Sequence, residues 1–326
     1  MSVVLWLGAG FGVPAGLPAA TGLFDDAPFP HSQRALRDIE ATLSAWEHWR
    51  DTHPDIAPEE FVSAAYESDP LQTVGHWPSI VRFLGYRLAS PFATFYPYER
   101  RTARSRDNIL EARICPAHAE WWGSILTHTG RRALTVITTN WDICIERALR
   151  PNPTQHPRRP GFHYGWGAER LKATTAYPRA PWREDPRVSG SVAVLKLHGS
   201  LNWALESGKL VKYGDLRPAF RGDAAVLPPT RHKQRPLWAE ELWRMAQRAL
   251  SMATQVMVVG YSFPPYDEQI HTLFAEGIGG THCHIHVFDP DAPTVCRRIS
   301  SMSATARVSG HPGLPEGVAD LPGVFS

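Results

Sequence analysis

Val3 to Leu7 is an unbroken apolar, partly β-branched run that leads directly into Gly8-Ala9-Gly10-Phe11-Gly12. A run without polar alternation predicts a strand covered on both faces, as in a parallel sheet flanked by helices. Gly8, Gly10 and Gly12 let backbone amides approach a ligand with no Cβ in the way. Oriented N–H groups of this kind form anion-binding concavities. Two nucleotide fingerprints do not fit: the dehydrogenase pattern G-x-G-x-x-G needs glycine where Val13 stands, and no Gly-Lys-Ser/Thr follows to complete a P-loop. Taken alone, the glycine cluster also suits a tight strand-to-helix turn with no ligand.

Composition narrows the class. The chain has 326 residues, 43% of them hydrophobic, which is enough for one large domain or a domain plus an insertion and excludes fibrous or disordered classes. Lys+Arg 34 against Asp+Glu 32 leaves a net charge of +2, too balanced for bulk nucleic-acid affinity. A local basic patch, and with it direct nucleic-acid binding, stays open. Cys115, Cys144, Cys283 and Cys296 include no C-x-x-C pair, so neither a zinc ribbon nor a disulfide framework is expected, and a reducing cytoplasm fits. The opening MSVVLWLGAG has no basic n-region, and no apolar stretch reaches spanning length. The expectation is a soluble cytoplasmic protein with no signal peptide and no membrane partner.

Periodicity then changes along the chain. Gln33 to Arg50 places Leu36, Ile39, Leu43 and Trp46 on one helical face. Helical patterns continue at Pro58 to Glu67, Leu71 to Leu88 and Asp107 to His128, which predicts an all-helical block at 31–130. Strand patterns follow at Ala133 to Thr138, Val192 to Leu197, Gln255 to Val259 and His282 to Phe288, with helices at Trp238 to Ala253 and Asp267 to Glu276. Strands alternating with helices argue for an α/β fold, a doubly wound Rossmann-like parallel sheet interrupted by an all-helical insertion. The expected division is 1–30 with 131–326 as one nucleotide-binding domain and 31–130 as the insertion. Within the first lies a Pro/Arg-rich loop at 151–190, carrying Arg158, Arg159, Arg170, Lys172, Arg179, Arg183 and Arg187. That loop reads as a solvated cover or as a docking surface. The tail after Ser300 is expected to be irregular.

Three stretches end predicted strands, where an open α/β sheet binds its ligands: TTNWD (Thr138 to Asp142), KLHGSLNW (Lys196 to Trp203) and VVGYSFPPYD (Val258 to Asp267). A fourth, VFDPDA, closes the last predicted strand with Asp289 and Asp291. Each has a bland reading: Asn140 as a helix cap, His198 as a core histidine, Ser262 as a turn residue. Their shared position after successive strands favours a site. His282, His284 and His286 alternate on one strand face, but no carboxylate or cysteine completes a metal site at a recognisable spacing, so no metal is expected.

With these motifs the sequence resembles the sirtuin superfamily, specifically the bacterial sirtuin-like (silent-information-regulator-like) NAD-consuming domains of the antiviral-defence type. Gly8-Ala9-Gly10 and Gly16-Leu17-Pro18 match the family's NAD-holding loop and turn. Asn140-Trp141-Asp142 matches its Asn-x-Asp, His198-Gly199 its catalytic histidine, and Gly260-Tyr261-Ser262 its nucleotide-contacting Gly-x-Ser. Ala19-Ala20-Thr21 stand where deacylating sirtuins carry Asp-Phe-Arg, the four-cysteine zinc module is absent, and Gly12 replaces a common serine. The resemblance therefore implies NAD glycohydrolase chemistry, to nicotinamide and ADP-ribose, and argues against protein deacylation. A non-catalytic NAD or ADP-ribose sensing module and an ADP-ribose cyclase are the alternatives.

On this resemblance Asn140 orients water or the nicotinamide ribose, Asp142 holds the carboxamide, and His198 accepts a ribose hydroxyl proton or activates water. Gly8, Ala9, Gly10, Gly12, Gly16 and Pro18 cradle the pyrophosphate, with Thr139 beside Asn140, and Gly260, Ser262 and Asp289 serve the adenosine end. NAD is then substrate, with no metal. The implied partners are a second copy of the chain, or a protein such as an ATPase or argonaute-like protein encoded nearby, either of which gates the activity.

Overall fold

A computed structural model of the chain describes residues 2–26, 28, 33–68, 76–93, 121, 125, 133–149, 162–165, 192–213, 216–229 and 235–313. Its strands are β1 (Ser2–Leu7), β2 (Ala133–Thr138), β3 (Phe162–His163), β4 (Val192–Lys196), β5 (Gly199–Glu206), β6 (Lys209–Lys212), β7 (Ala224–Val226), β8 (Ala253–Val259), β9 (His284–Asp289) and β10 (Arg307–Pro312). Seven of them form one sheet in the order β10-β9-β8-β1-β2-β4-β3, with parallel pairing throughout. The apolar run Val3–Leu7 is at most 1% exposed, as its central position demands. Later strands are added on both sides of β1, so the order reverses there, and crevices of open α/β sheets lie at such a reversal.

Register aligns the strand ends. Leu7 pairs with Thr138 and Val259, Thr138 with Lys196, and Val259 with Phe288. The segments after β1, β2, β4, β8 and β9 therefore leave from one edge of the sheet, and these are the segments that carry the motifs.

The helices are α1 (Gln33–Thr52), α2 (Pro58–Ser68), α3 (Trp77–Ala93), α4 (Cys144–Leu149), α5 (Arg217–Arg221), α6 (Leu237–Ser251), α7 (Glu268–Ile278) and α8 (Ala292–Met302). Helix α6 buries Ala239, Leu242, Trp243, Ala246 and Leu250, a stripe at helical spacing, and packs across β4, β1 and β8. Helices α1 to α3 gather around Phe24, whose ring lies 5.0 Å from Trp46, 5.0 Å from Phe83 and 5.5 Å from Phe61. Burying such a ring is worth about 1.5–3 kcal/mol, so the segment after the glycine loop is anchored in the helical block. Arg87 of α3 adds bonds to the carbonyls of Gly22 (3.1 Å) and Leu23 (3.2 Å).

Several expectations are corrected. KLHGSLNW runs on past the strand end that the sequence marks: Gly199 turns the chain into a three-stranded sheet, β6-β5-β7, antiparallel in its pairings. The strand ending in VFDPDA is not the last, because α8 and β10 follow, and the stretch after Ser300, expected to be irregular, holds the end of α8 at Met302 and the strand Arg307–Pro312. An edge strand of small and polar residues such as Arg307–Pro312 carries too little apolar signal to be read from sequence. Within 151–190, Phe162–His163 forms β3 against β4, and Phe162 packs on Tyr164. The arginines and lysine named in that segment lie outside the described residues. Of Asp107 to His128 only Trp121 and Ile125 are described; both are helical and buried.

Candidate functional site

The aligned strand ends and the helical block enclose a cleft of about 510 Å³. Ala9, Gly10, Pro18, Thr139, Asn140, Asp142, His198, Gly260, Ser262 and Asp289 line it. Gly8, Gly12 and Gly16 stand behind that wall. The Gly8 N–H donates to Val259 O at 3.0 Å, Gly12 O accepts from Leu17 N at 3.1 Å, and Gly16 ends the short 3-10 turn Ala9–Ala15.

Asn140 is placed by short bonds. Its N–H donates to Thr138 Oγ1 at 3.1 Å, and the Thr138 hydroxyl in turn donates to Leu7 O at 2.9 Å. The Asn140 side-chain Nδ2 donates to Gly8 O at 2.9 Å, which ties the loop after β2 to the loop after β1 and uses one of the amide's two donors. Asp142 caps α4: its Oδ1 accepts from Cys144 N at 2.7 Å, the helix-cap role that an acidic residue fills well. Burial pushes its carboxyl above the usual range although Lys196 and the Cys144 amide pull the other way.

His198 sits in the sharp turn between β4 and β5. Its carbonyl accepts from Leu227 N at 2.8 Å, and the preceding carbonyl, of Leu197, accepts from the Trp243 indole at 3.1 Å. The residue after it must be glycine. Gly199 has φ +74°, and a Cβ there would stand 2.0 Å from Ala225 O. Gly260 and Gly10 cross at similar range, since a Cβ on Gly260 would meet Gly10 Cα at 2.6 Å. Beyond Gly260, Phe263 also takes a left-handed conformation, φ +50°. Its ring is held by Trp6 (6.0 Å), Tyr261 (4.8 Å) and Phe274 (4.8 Å), packing that offsets a backbone cost of about 1–2 kcal/mol.

Under the cleft lies a buried polar network. Lys196 Nζ pairs with Glu146 Oε1 at 2.9 Å and also bonds the Asp142 carbonyl. Tyr164 donates to the same Glu146 oxygen at 3.0 Å, and Asn202 Nδ2 reaches the Tyr164 hydroxyl at 3.3 Å and Tyr213 O at 2.9 Å. Lys196 thus links β4, two residues before His198, to the loop carrying Asn140 and Asp142.

Trp141, Tyr261, Tyr266, Asp267 and Glu59 also line the cleft, and the sequence reading gave them no role. Four of these lie within or beside the motif stretches, so proximity was the available signal. Glu59 comes from α2 and had none. It accepts a bond from Tyr266, and desolvation lifts its carboxyl above the ordinary value.

Among the described residues no group of three or more His, Cys, Asp or Glu side chains is placed to hold a metal ion. His284 and His286 do share a face, with ring centroids 3.9 Å apart, and His311 of β10 joins them. No helix among the described residues is long and apolar enough to cross a membrane.

A family model described as a SIR2-like domain matches residues 134–297. The chain belongs to the SIR2-like domain family. The matched span runs from β2 to α8 and includes Asn140, His198, Gly260 and Asp289. Solved Sir2 structures align with this SIR2-like protein at low identity. A mutant Sir2 homologue in complex with ADP-ribose is 15% identical, with a TM-score of 0.43 over 94% of this chain and 85% of that one. A structure of Sir2 with a p53 peptide and NAD+ is 17% identical, with a TM-score of 0.34 over 88% and 81%. No curated protein matches the chain.

Proposed function

We propose that the cleft binds NAD and hydrolyses the bond between nicotinamide and ribose, releasing nicotinamide and ADP-ribose. The observation that carries this reading is the convergence of Asn140 and His198, from separate strands, on a cleft floored by the glycine loop. In the reaction the C1′–N bond breaks with its electron pair leaving on nicotinamide, the sugar gains oxocarbenium character, and a water oxygen adds to C1′. Few groups are needed: positioning of the ribose, charge complementarity, and a base for the proton released from water or a ribose hydroxyl. Asn140 orients the water or ribose, and His198 takes the proton, a task suited to imidazole near neutrality. The glycine-loop backbone at Ala9 faces the pyrophosphate, the Gly10 amide being spent on Gly260 O at 3.0 Å, and Ser262 and Asp289 face the adenosine side. Asp142, already committed to capping α4, supports the carboxamide end with its remaining acceptor capacity.

Incubation of the purified chain with NAD, with nicotinamide quantified, tests the reading. His198→Ala and Asn140→Ala should each lower release by about 10²–10⁴-fold with the circular dichroism spectrum unchanged. Binding of NAD without release would make the protein a sensing module, and a cyclic product on chromatography would make it a cyclase. The resemblance extends the proposal to an antiviral effector whose activity depends on assembly. Equal specific activity in dilute chain, in concentrated chain, and in chain mixed with the product of a neighbouring gene would rule that dependence out.

A further inference from the structure

Asp267 occupies the cap position of α7, yet its side chain makes no capping bond to that helix. The carboxylate turns into the cleft instead. Its Oδ2 accepts the Tyr261 hydroxyl at 2.9 Å and lies 3.8 Å from His198 Nε2, with the His198 and Asp267 side chains only 5% and 4% exposed. An acid with a helix terminus available normally uses it, so the orientation reflects a stronger local preference. Tyr261 supplies part of that preference. Burial, and after it the Asp267 charge, push its phenol well above the ordinary value, so the hydroxyl stays protonated and serves Asp267 as a donor.

We propose that Asp267 is the positioning carboxylate of His198: it orients the ring and favours the tautomer with the proton on Nε2. A separation of 3.8 Å is a charge contact rather than a hydrogen bond, and catalytic contacts of this length tighten when substrate binds. The physical logic is general. A carboxylate beside one ring nitrogen selects the tautomer and ring orientation, and it stabilises the imidazolium once formed. Tyr261 fixes the carboxylate, and its neighbour Tyr266 is bonded to Glu59 of α2, so the segment that carries Asp267 is held from both the sheet and the helical block.

The proposal rests on His198 being the base in NAD cleavage, and two readouts keep the two claims separable. In protein labelled with ¹⁵N-histidine, with the His198 signal assigned by its loss in His198→Gln, the wild type should show the Nε2–H tautomer and Asp267→Asn should lose that preference. This measurement needs no turnover, so a wild type that releases no nicotinamide defeats the NAD-cleavage reading while the tautomer still decides the pairing. In turnover, Asp267→Asn should lower kcat on the order of 10²-fold with KM for NAD nearly unchanged, and Asp267→Glu should recover part of the loss. If Asp267→Asn does not fold, Tyr261→Phe, which removes one partner of the carboxylate without removing its charge, should give a smaller kcat loss and a partial tautomer change. An unchanged tautomer together with wild-type kcat in the folded variant would overturn the assignment, as would a loss of kcat matched by an equal rise in KM.

Discussion

The strand-end wall of the cleft presents Asn140, Asp142 and His198, whereas the wall made by the helical block and the turn after the glycine loop presents Leu17, Pro18, Ala20, Leu23 and Leu88, with Glu59 beside them. The first wall is polar and rests on a buried network in which Lys196, Glu146 and Tyr164 are at most 1% exposed. The second is apolar and rests on aromatic packing around Phe24. The difference teaches where specificity of position comes from. Hydrogen-bonded networks at low dielectric define one arrangement of their members, and an apolar wall excludes water without dictating the orientation of a polar ligand. Chemistry is therefore expected from the strand ends, and shape and dehydration from the helical block.

The strongest way to break the polar wall is Lys196→Met. It leaves the Glu146 carboxylate buried without its counter-charge and removes a donor from the Asp142 carbonyl. Urea denaturation at neutral pH should show a loss of about 3–5 kcal/mol. A loss under about 1 kcal/mol would mean that the wall does not depend on this pair.

Gly260→Ala should act on the floor shared by both walls. The new Cβ would meet Gly10 at 2.6 Å in a backbone conformation of φ +58°. Thermal unfolding should report a cost of about 1–3 kcal/mol, and NAD affinity by calorimetry should fall with it because Gly10 must move. Unchanged affinity would separate the Gly10–Gly260 crossing from ligand binding.

Glu59→Gln should have the smallest effect and should sharpen the account of the apolar wall. The amide oxygen can still accept from Tyr266, so little is lost structurally. Because the folded state lifts this carboxyl, wild-type Glu59 contributes stability that is present below the unfolded carboxylate value and is lost as pH rises through the folded one. The variant lacks that loss. Its melting temperature relative to wild type should therefore rise by about 2 °C between about pH 4 and about pH 7, and a flat difference would place Glu59 in a solvent-like setting.

Much of the scaffold was legible locally. An unbroken apolar run marked β1, β-branched runs marked β2, β4 and β8, and helical spacing located α1, α2 and α6, because each pattern reflects burial within a few residues of sequence. The sites after the strands were legible for the same reason: Asn140, His198 and Gly260 follow strand patterns directly. Edge and antiparallel strands such as β10 and β7 were not, since short strands with mixed polarity carry little periodic signal.

By itself the sequence determined that a parallel sheet would form and that its strand ends would carry a glycine loop, an Asn-x-Asp, a His-Gly and a Gly-x-Ser. Tertiary structure alone decided which of those side chains remain available and what stands beside them. Asp142 caps a helix, Asp267 leaves its own helix terminus for the cleft, and Glu59 arrives from a helix that no local pattern connects to the sheet. The physical reason is that periodicity and turn chemistry are set by near neighbours. The orientation of a buried carboxylate is set instead by whichever donors and charges the fold leaves beside it: Asp142 takes the nearby Cys144 amide, Asp267 takes Tyr261 and lies against His198 from another strand end, and Glu59 meets Tyr266 of a distant segment.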